Sequence, residues 1–428
     1  MANPSLRRSW LQPFLAPWKD LDGWLLGATL GLTGLGGLLI RSTQLHTRVI
    51  GFEVSWLQHW VTGGVGLVLL LLLTRFRYDR LQQWPWIIYI ITNISLLIVK
   101  FVGTSALGAR SWLSIGGLNI QPSEFAKIGV IIVLAAVLGA EEAATIPALI
   151  RALAILALPW GLVFVQPDLG TSLVFGAIAF GMLYWANAKP GWLILMLSPP
   201  LSAILYSFGA DSKIVMGLWF VWLVFMGIIS WKSLPWPRIG AFGAVLINAI
   251  SGSMGTWAWE NILKDHQRAR LTSFLDPNQD PLGSGYHLIQ SSIAIGSGQF
   301  WGRGLNQGSQ TQLEFIPEQH TDFIFSAVGE ELGFVGGMLV LLVYWLMCLR
   351  LLIIAQNAKD NFGSLLAIGV LSMIVFQTII NVGMTIGVSP VTGIPLPFLS
   401  YGRSALLTNF IGIGLVESVA NHRQRFRF

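Results

Sequence analysis

The chain has 428 residues, 54% of them hydrophobic and only 11% charged, with a mean hydropathy of +0.66. Those values exclude an ordinary soluble globular protein and describe a polytopic membrane protein. The net charge of +6 argues for no nucleic-acid partner, because the Lys and Arg residues are scattered over short loops, as the positive-inside rule requires.

Arg7 and Arg8 precede a stretch broken by Pro13 and Pro17, and the first long apolar run begins near Trp24. No small-residue cleavage site follows it, so it is expected to stay as a helix rather than leave as a signal peptide. Apolar stretches long enough to span a bilayer fall near 23–40, 54–74, 84–102, 123–139, 150–165, 170–187, 191–208, 214–231, 239–255, 323–349, 363–385 and 395–418. The fold class expected is therefore all-α, a polytopic helical bundle of about twelve spans, in one domain covering 1–428. Gly23, Gly27 and Gly31 form a small-residue face for close helix packing. The single cysteine, Cys348, excludes an intramolecular disulfide. Many of the 19 tryptophans stand near the ends of apolar runs, as interfacial anchors do.

An even number of spans places both termini on one side. Arg75, Arg77, Arg80, Arg151, Lys189, Lys232, Arg238, Arg350 and Lys359 fall in loops on that side. The short loops on the opposite side carry only Arg41, Arg48, Arg110, Lys213 and Arg403. The imbalance predicts cytoplasmic termini. The large hydrophilic stretch 256–322 is then an extracytoplasmic loop, and residues 286–295 within it read as a short amphipathic helix. Loops of this length inside a tight bundle usually carry function.

From Gln310 to Asp322 the even positions are polar apart from Ile316, so an extended backbone would put Gln310, Gln312, Glu314, Glu318, His320 and Asp322 on one face. Ionisable groups at the edge of a membrane helix are functional candidates. Asp322 could be an ordinary N-cap, or a carboxylate that accepts a proton. Lys127, a turn inside an apolar helix, needs an anion; Glu124 could supply it locally, or Lys127 could meet Asp322 across the bundle. Gln121 and Pro122 open that same helix. Arg110 could clamp a phosphate, and Trp112 could stack on a sugar or merely anchor in the interface. Asp168 reads as a helix cap in a turn that also faces outward. Lys264, Arg268 and Arg270 could hold phosphate or lipid headgroups. Gly302-x-Gly304 is no nucleotide loop, since no strand precedes it. No zinc-type cluster and no nucleophile triad is present, which leaves acid/base action and ionic stabilisation as the available chemistry.

Together these motifs resemble one family. Gly108-Ala-Arg-Ser-Trp112, Gln121-Pro-Ser-Glu-Phe-Ala-Lys127, Gln166-Pro-Asp-Leu-Gly-Thr171, Asp276-Pro through Gly283-Ser-Gly-Tyr286, Glu314 to Phe325, Asn381-Val-Gly-Met384 and Pro390 through Ser400-Tyr-Gly402 are similar, in order, to the SEDS proteins (shape, elongation, division and sporulation). Val391 to Pro397 looks like the RodA branch rather than the FtsW branch. The resemblance implies a peptidoglycan glycosyltransferase in the bacterial plasma membrane. It would polymerise lipid II, work with a class B penicillin-binding protein and other elongation-complex proteins, and sit among membrane lipids. It puts the essential acid at Asp322 with Lys127 as its ionic partner, Glu314 at a position linked with activation, and Trp112 at a position the family needs for function. The substrate contacts expected are Arg110, Trp112, Glu124, Gln121, Asp168, Arg268, Glu318, His320 and Ser400. Two departures stand out. The family core has ten helices, so the segments within 209–255 are expected to be an inserted pair. Arg403 replaces the usual glycine after Ser-Tyr-Gly, where an extra cation could bind phosphate or alter regulation.

The mechanism expected is one inverting displacement. Asp322 deprotonates or orients the acceptor 4-hydroxyl, that oxygen attacks C1 of the donor, and pyrophosphate leaves, stabilised by Arg110, other loop cations or a divalent ion such as Mg or Mn. The rival functions are a lipid II flippase, which predicts helices broken at the midplane and an inverted repeat, and a non-catalytic scaffold.

Overall fold

The computed structural model describes residues 18, 21–45, 55–106, 109–115, 118–141, 143–166, 168–209, 213–261, 265–281, 283, 285–313 and 315–422. Each of the twelve apolar stretches holds a helix, although the last, expected from 395, is turn and loop until Arg403: α1 Gly23–Thr43, α2 Ser55–Arg75, α3 Pro85–Val102, α4 Pro122–Ala140, α5 Ile146–Val165, α6 Leu169–Trp185, α7 Pro190–Gly209, α8 Lys213–Ser233, α9 Pro237–Asn261, and, after three shorter helices, α13 Ile324–Gln356, α14 Asn361–Thr385 and α15 Arg403–Asn421. Ten are long and apolar enough to cross a membrane; α6 is apolar but shorter, and α9 does not meet that standard. The shorter helices are α10 Asp265–Leu275, α11 Tyr286–Ser297 and α12 Ser309–Gln312. The expected amphipathic helix is α11, which seats Leu288, Ser291 and Ala294 in the interior.

The hub is α4, α14 and α15, whose most apolar stretches are 72%, 67% and 83% buried, whereas α3, α5, α7 and α8 bury 28% or less and are left to face lipid. Helices α7, α8 and α9 pack chiefly against one another. Their polar groups are satisfied within that layer: Trp219 Nε1 donates to Ser202 Oγ (2.9 Å), Ser202 Oγ to the Asn248 carbonyl (2.7 Å), and Asn248 Nδ2 to Ser198 Oγ (2.9 Å).

At the end holding the start of α1, Asp22 caps that helix by accepting from the Leu25 amide (3.1 Å) and receives Arg350 of α13 through Nε (2.9 Å). Its own amide donates to Glu417 Oε2 of α15 (2.9 Å). Three helices are thereby tied at one point. A buried ion pair also sits inside the hub: Lys127 Nζ lies 2.7 Å from Glu124 Oε2, both side chains almost wholly enclosed. Of the two partners open to Lys127, the local one is taken, because an i,i+3 carboxylate on the same helix reaches it without reordering the bundle.

At the opposite end the structure departs from expectation twice. Residues 104–120 form a three-stranded antiparallel sheet, β1 Thr104–Ala106, β2 Ala109–Ile115 and β3 Leu118–Ile120, which runs straight into α4. The polar alternation of 310–322 is not extended: it begins with α12 and continues in turns. The cause is Glu330 of α13, fully buried, which accepts from the amides of Gln310 (2.8 Å) and Thr311 (2.9 Å) and from Thr311 Oγ1 (2.6 Å). A carboxylate gathering two successive amides winds them into a helical turn.

Helix α13 is broken at Gly333, where φ is 67° and ψ −166°. The freed backbone groups meet the 299–304 loop: Phe334 N donates to the Gln299 carbonyl (2.9 Å), Val335 N to Phe300 (3.1 Å), Arg303 N to Glu330 (3.0 Å) and Gly304 N to Glu331 (2.9 Å). Any Cβ at Gly333 would collide with the Gly302 amide. Gly333→Ala is therefore expected to lower the thermal unfolding midpoint in detergent, with a loss well above about 1 kcal/mol; an unchanged midpoint would show that the break is not imposed by this residue.

The ion pair makes a second prediction. Lys127→Met strands a buried carboxylate and should cost roughly 3–5 kcal/mol, while Lys127→Met with Glu124→Leu should recover most of it, because two apolar side chains of similar volume replace the pair. A double variant that is no more stable than the single one would contradict a role confined to this pair.

Candidate functional site

The starts of four helices ring one cavity of about 540 Å³. Gln121 precedes α4, Asp168 precedes α6, Asp322 precedes α13, and Arg403 opens α15; all four side chains line it. Each helix start leaves amides without intrahelical partners and carries partial positive charge, so the cavity favours anions before any side chain is counted.

Asp322 is not the cap of α13. Phe323 holds the N-cap position and makes no side-chain capping bond. The Asp322 carbonyl instead accepts from Asn381 Nδ2 (2.8 Å), and Asn381 also donates to the Ile394 carbonyl (2.7 Å), which fixes the 390–395 loop against this residue. Gly393 stands in that loop with φ 72°, and a Cβ placed there would lie 3.4 Å from Asp322 Oδ2 and 4.0 Å from Arg270 Nη1. Acid and guanidinium thus share the space over the loop. Burial pushes the Asp322 carboxyl up to about 7; the charges of Glu318 and Asp168 push the same way, and Arg270 opposes them. His287 of α11 stacks on Phe323 with ring centroids 5.7 Å apart, and burial followed by the Arg270 charge lowers its basicity.

The Lys127 partnership expected at Asp322 is replaced. Lys127 is paired with Glu124 in the hub, neither lines the cavity, and Arg270 is the cation whose field reaches the acid. Arg270 was visible in the sequence only as one member of a basic trio. The structure also revises Arg268: Gln267, Arg270 and Leu271 of α10 line the cavity, and Arg268 does not. Ser400 is likewise withdrawn from the wall, where its hydroxyl accepts from the Leu396 amide (2.8 Å) and braces the loop. Glu318, His320 and Trp112 do line the cavity, with Glu318 at a positive φ of 53° that turns the chain toward it. Gln121 ties two of the helix starts by donating from Nε2 to Asp168 Oδ2 (3.3 Å) and from its amide to Ser404 Oγ (2.9 Å). Asp168 combines both readings: it caps α6 by accepting from the Thr171 amide (3.0 Å) and faces the cavity. Glu314 and the Arg110 side chain lie outside the described residues.

A divalent cation would need a converging set of oxygen ligands. Among the described residues no group of three or more His, Cys, Asp or Glu side chains is placed to hold one. Asp322, Glu318 and Asp168 line the cavity without forming such a group, so the described side chains do not fit a divalent cation.

The chain matches the cell cycle protein family of FtsW, RodA and SpoVE over residues 24–216 and 200–425. It is 35% identical over 431 residues to peptidoglycan glycosyltransferase RodA of Treponema pallidum, covering 95% of this chain and 98% of that one. It is 36% identical over 391 residues to peptidoglycan glycosyltransferase MrdB of Escherichia coli K12, covering 90% and 91%. A solved chain from work on structural coordination of polymerization and crosslinking by a peptidoglycan synthase complex superposes with a TM-score of 0.70 at 28% identity, over 95% of this chain and all of that one. The rod shape determining protein RodA of Thermus thermophilus shares the fold, with a TM-score of 0.61 at 24% identity over 95% of this chain and 98% of that one. The chain is a multi-pass membrane protein and belongs to the FtsW, RodA and SpoVE family of cell cycle proteins.

Proposed function

We propose that this protein is a peptidoglycan glycosyltransferase of the RodA type, joining lipid-linked disaccharide units into β-1,4 glycan strands during cell elongation. The relatives at 35% and 36% identity bear that activity in their names. The observation that carries the mechanism is the Asp322 carboxyl, held in a cavity ringed by helix starts with a proton affinity matched to neutral pH.

Asp322 takes the proton of the acceptor 4-hydroxyl as that oxygen forms its bond to C1 of the donor sugar. The C1–O bond to the diphosphate breaks and the electron pair leaves with the diphosphate. One displacement converts an α linkage to a β linkage, and no covalent enzyme intermediate is required. Arg270 and the helix starts offset the negative charge that grows on the leaving group.

The cavity opens at the end of the bundle opposite the cation-rich loops. With the termini in the cytoplasm, it faces the exterior of the plasma membrane, where glycan strands are needed. The partner is a class B penicillin-binding protein that cross-links what this chain polymerises, a reading supported by the likeness to a chain from a synthase complex that couples polymerization to crosslinking. The break in α13 does not favour a flippase: its freed backbone groups are satisfied by the protein's own 299–304 loop, and no substrate is needed to complete them.

Purified protein given lipid II should form glycan strands, and Asp322→Asn should slow turnover by about 100-fold or more. A base with a raised pKa must lose its proton to act, so activity rises with pH through about 7. Arg270→Gln removes a charge that favours the carboxylate and moves that limb to higher pH; Glu318→Gln removes one that opposes it and moves the limb lower. Strand formation by Asp322→Asn at the wild-type rate, or a profile flat across neutral pH, would take Asp322 out of the role of base.

A further inference from the structure

Arg270 lines the cavity and its charge reaches Asp322; Arg403 is a second cation lining the same cavity. Arg403 is the first residue of α15 and lines the cavity, and among the described residues no carboxylate pairs with it. Its charge reaches the Tyr401 phenol, whose hydroxyl is taken up with Gln58 Oε1. Gly402 occupies the N-cap position and supplies no capping side chain, so the first amides of α15 are left open beside the guanidinium. Ser111 of β2 lines the same cavity: it is 4% exposed, and its hydroxyl has no hydrogen-bond partner. The Gln121 amide bonded to Ser404 Oγ at 2.9 Å brings the start of α4, just beyond the β-sheet, against the start of α15. A buried hydroxyl without a partner is costly unless something comes to meet it.

We propose that Arg403, the open amides of α15 and the Ser111 hydroxyl form a second anion subsite that takes the diphosphate of a polyprenyl-linked sugar, built from residues other than Arg270 and Asp322. The identity of the ligand rests on the glycosyltransferase reading. A polymerase must hold two lipid-linked molecules at once, each with its own diphosphate, and a cavity lined by both Arg270 and Arg403, with no carboxylate paired to Arg403 among the described residues, offers a cation to each. The planar guanidinium takes two phosphate oxygens, an open helix start takes a third, and the hydroxyl donates to a bridging or terminal oxygen. Trp112, in the strand that carries Ser111, offers an apolar wall for the attached sugar.

The test uses full-length protein in detergent and two probes, undecaprenyl diphosphate and inorganic pyrophosphate, titrated against wild type, Arg403→Gln, Arg403→Lys and Ser111→Ala. Variants are first matched for thermal midpoint, and Arg403→Lys and Ser111→Ala keep the test open where Arg403→Gln is unstable. Arg403→Gln should weaken undecaprenyl diphosphate binding by about tenfold, Arg403→Lys by less, and Ser111→Ala by about threefold. The KM for lipid II should rise in step while kcat holds. Pyrophosphate that competes with the lipid and shows the same Arg403 dependence supports recognition of the diphosphate itself. Pyrophosphate that fails to compete, with the lipid still Arg403-dependent, assigns the subsite to the lipid-linked form. Equal affinities in wild type, Arg403→Gln and Ser111→Ala overturn the subsite while leaving polymerisation intact. Arg403-dependent binding by a wild type that makes no strands instead overturns the glycosyltransferase reading and leaves the subsite standing.

Discussion

Backbone amides at the start of a helix have no partner within the helix, and lipid offers none. This constraint organises the outer end of the protein. Four helices begin around one cavity; Asp168 caps the start of α6, Gln121 ties the starts of α4, α6 and α15 together, and the start of α15 has no capping side chain. The same convergence gives the cavity its positive bias. An acid placed among these starts would ordinarily ionise easily; Asp322 does not, because it is shielded from water and crowded by Glu318 and Asp168. The balance between attraction to helix starts and loss of solvation is what makes the carboxyl useful near neutrality.

Two supports hold that balance in place, and neither touches the reacting space. Glu330 gathers the amides of Gln310 and Thr311 and so fixes the path of the chain that leads to Asp322. Asn381 spans the Asp322 and Ile394 carbonyls and sets the facing loop. At the far end, Asp22 binds α1, α13 and α15 into one unit, so that the helix starts above are held at a constant spacing.

Apolar run length made the helices legible in the sequence, because a bilayer imposes a length that a 428-residue chain can hardly hide. The acid was legible for a related reason: a carboxylate at the edge of such a run needs an explanation. Pairing was not. Lys127 had one candidate three residues away and another across the bundle, and only packing could decide between Glu124 and Asp322. The sheet at 104–120 was missed because its strands are short and their backbone pairs within the loop rather than with a larger sheet. The alternation from 310 to 322 suggested a strand, but periodicity cannot register a buried Glu330 that arrives later in the chain and winds the segment into turns. Arg270 was masked by the basic residues around it, since nothing in the order Arg268-Ala269-Arg270 says which guanidinium turns inward.

The layer formed by α7, α8 and α9 settles its polar side chains around Asn248 and leans chiefly on itself. Such a layer is mechanically insulated. Substitutions that lengthen, shorten or repack it strain neither the hub nor the ring of helix starts. This flank therefore gives the protein a face toward surrounding lipid that can be repacked with little demand on the hub.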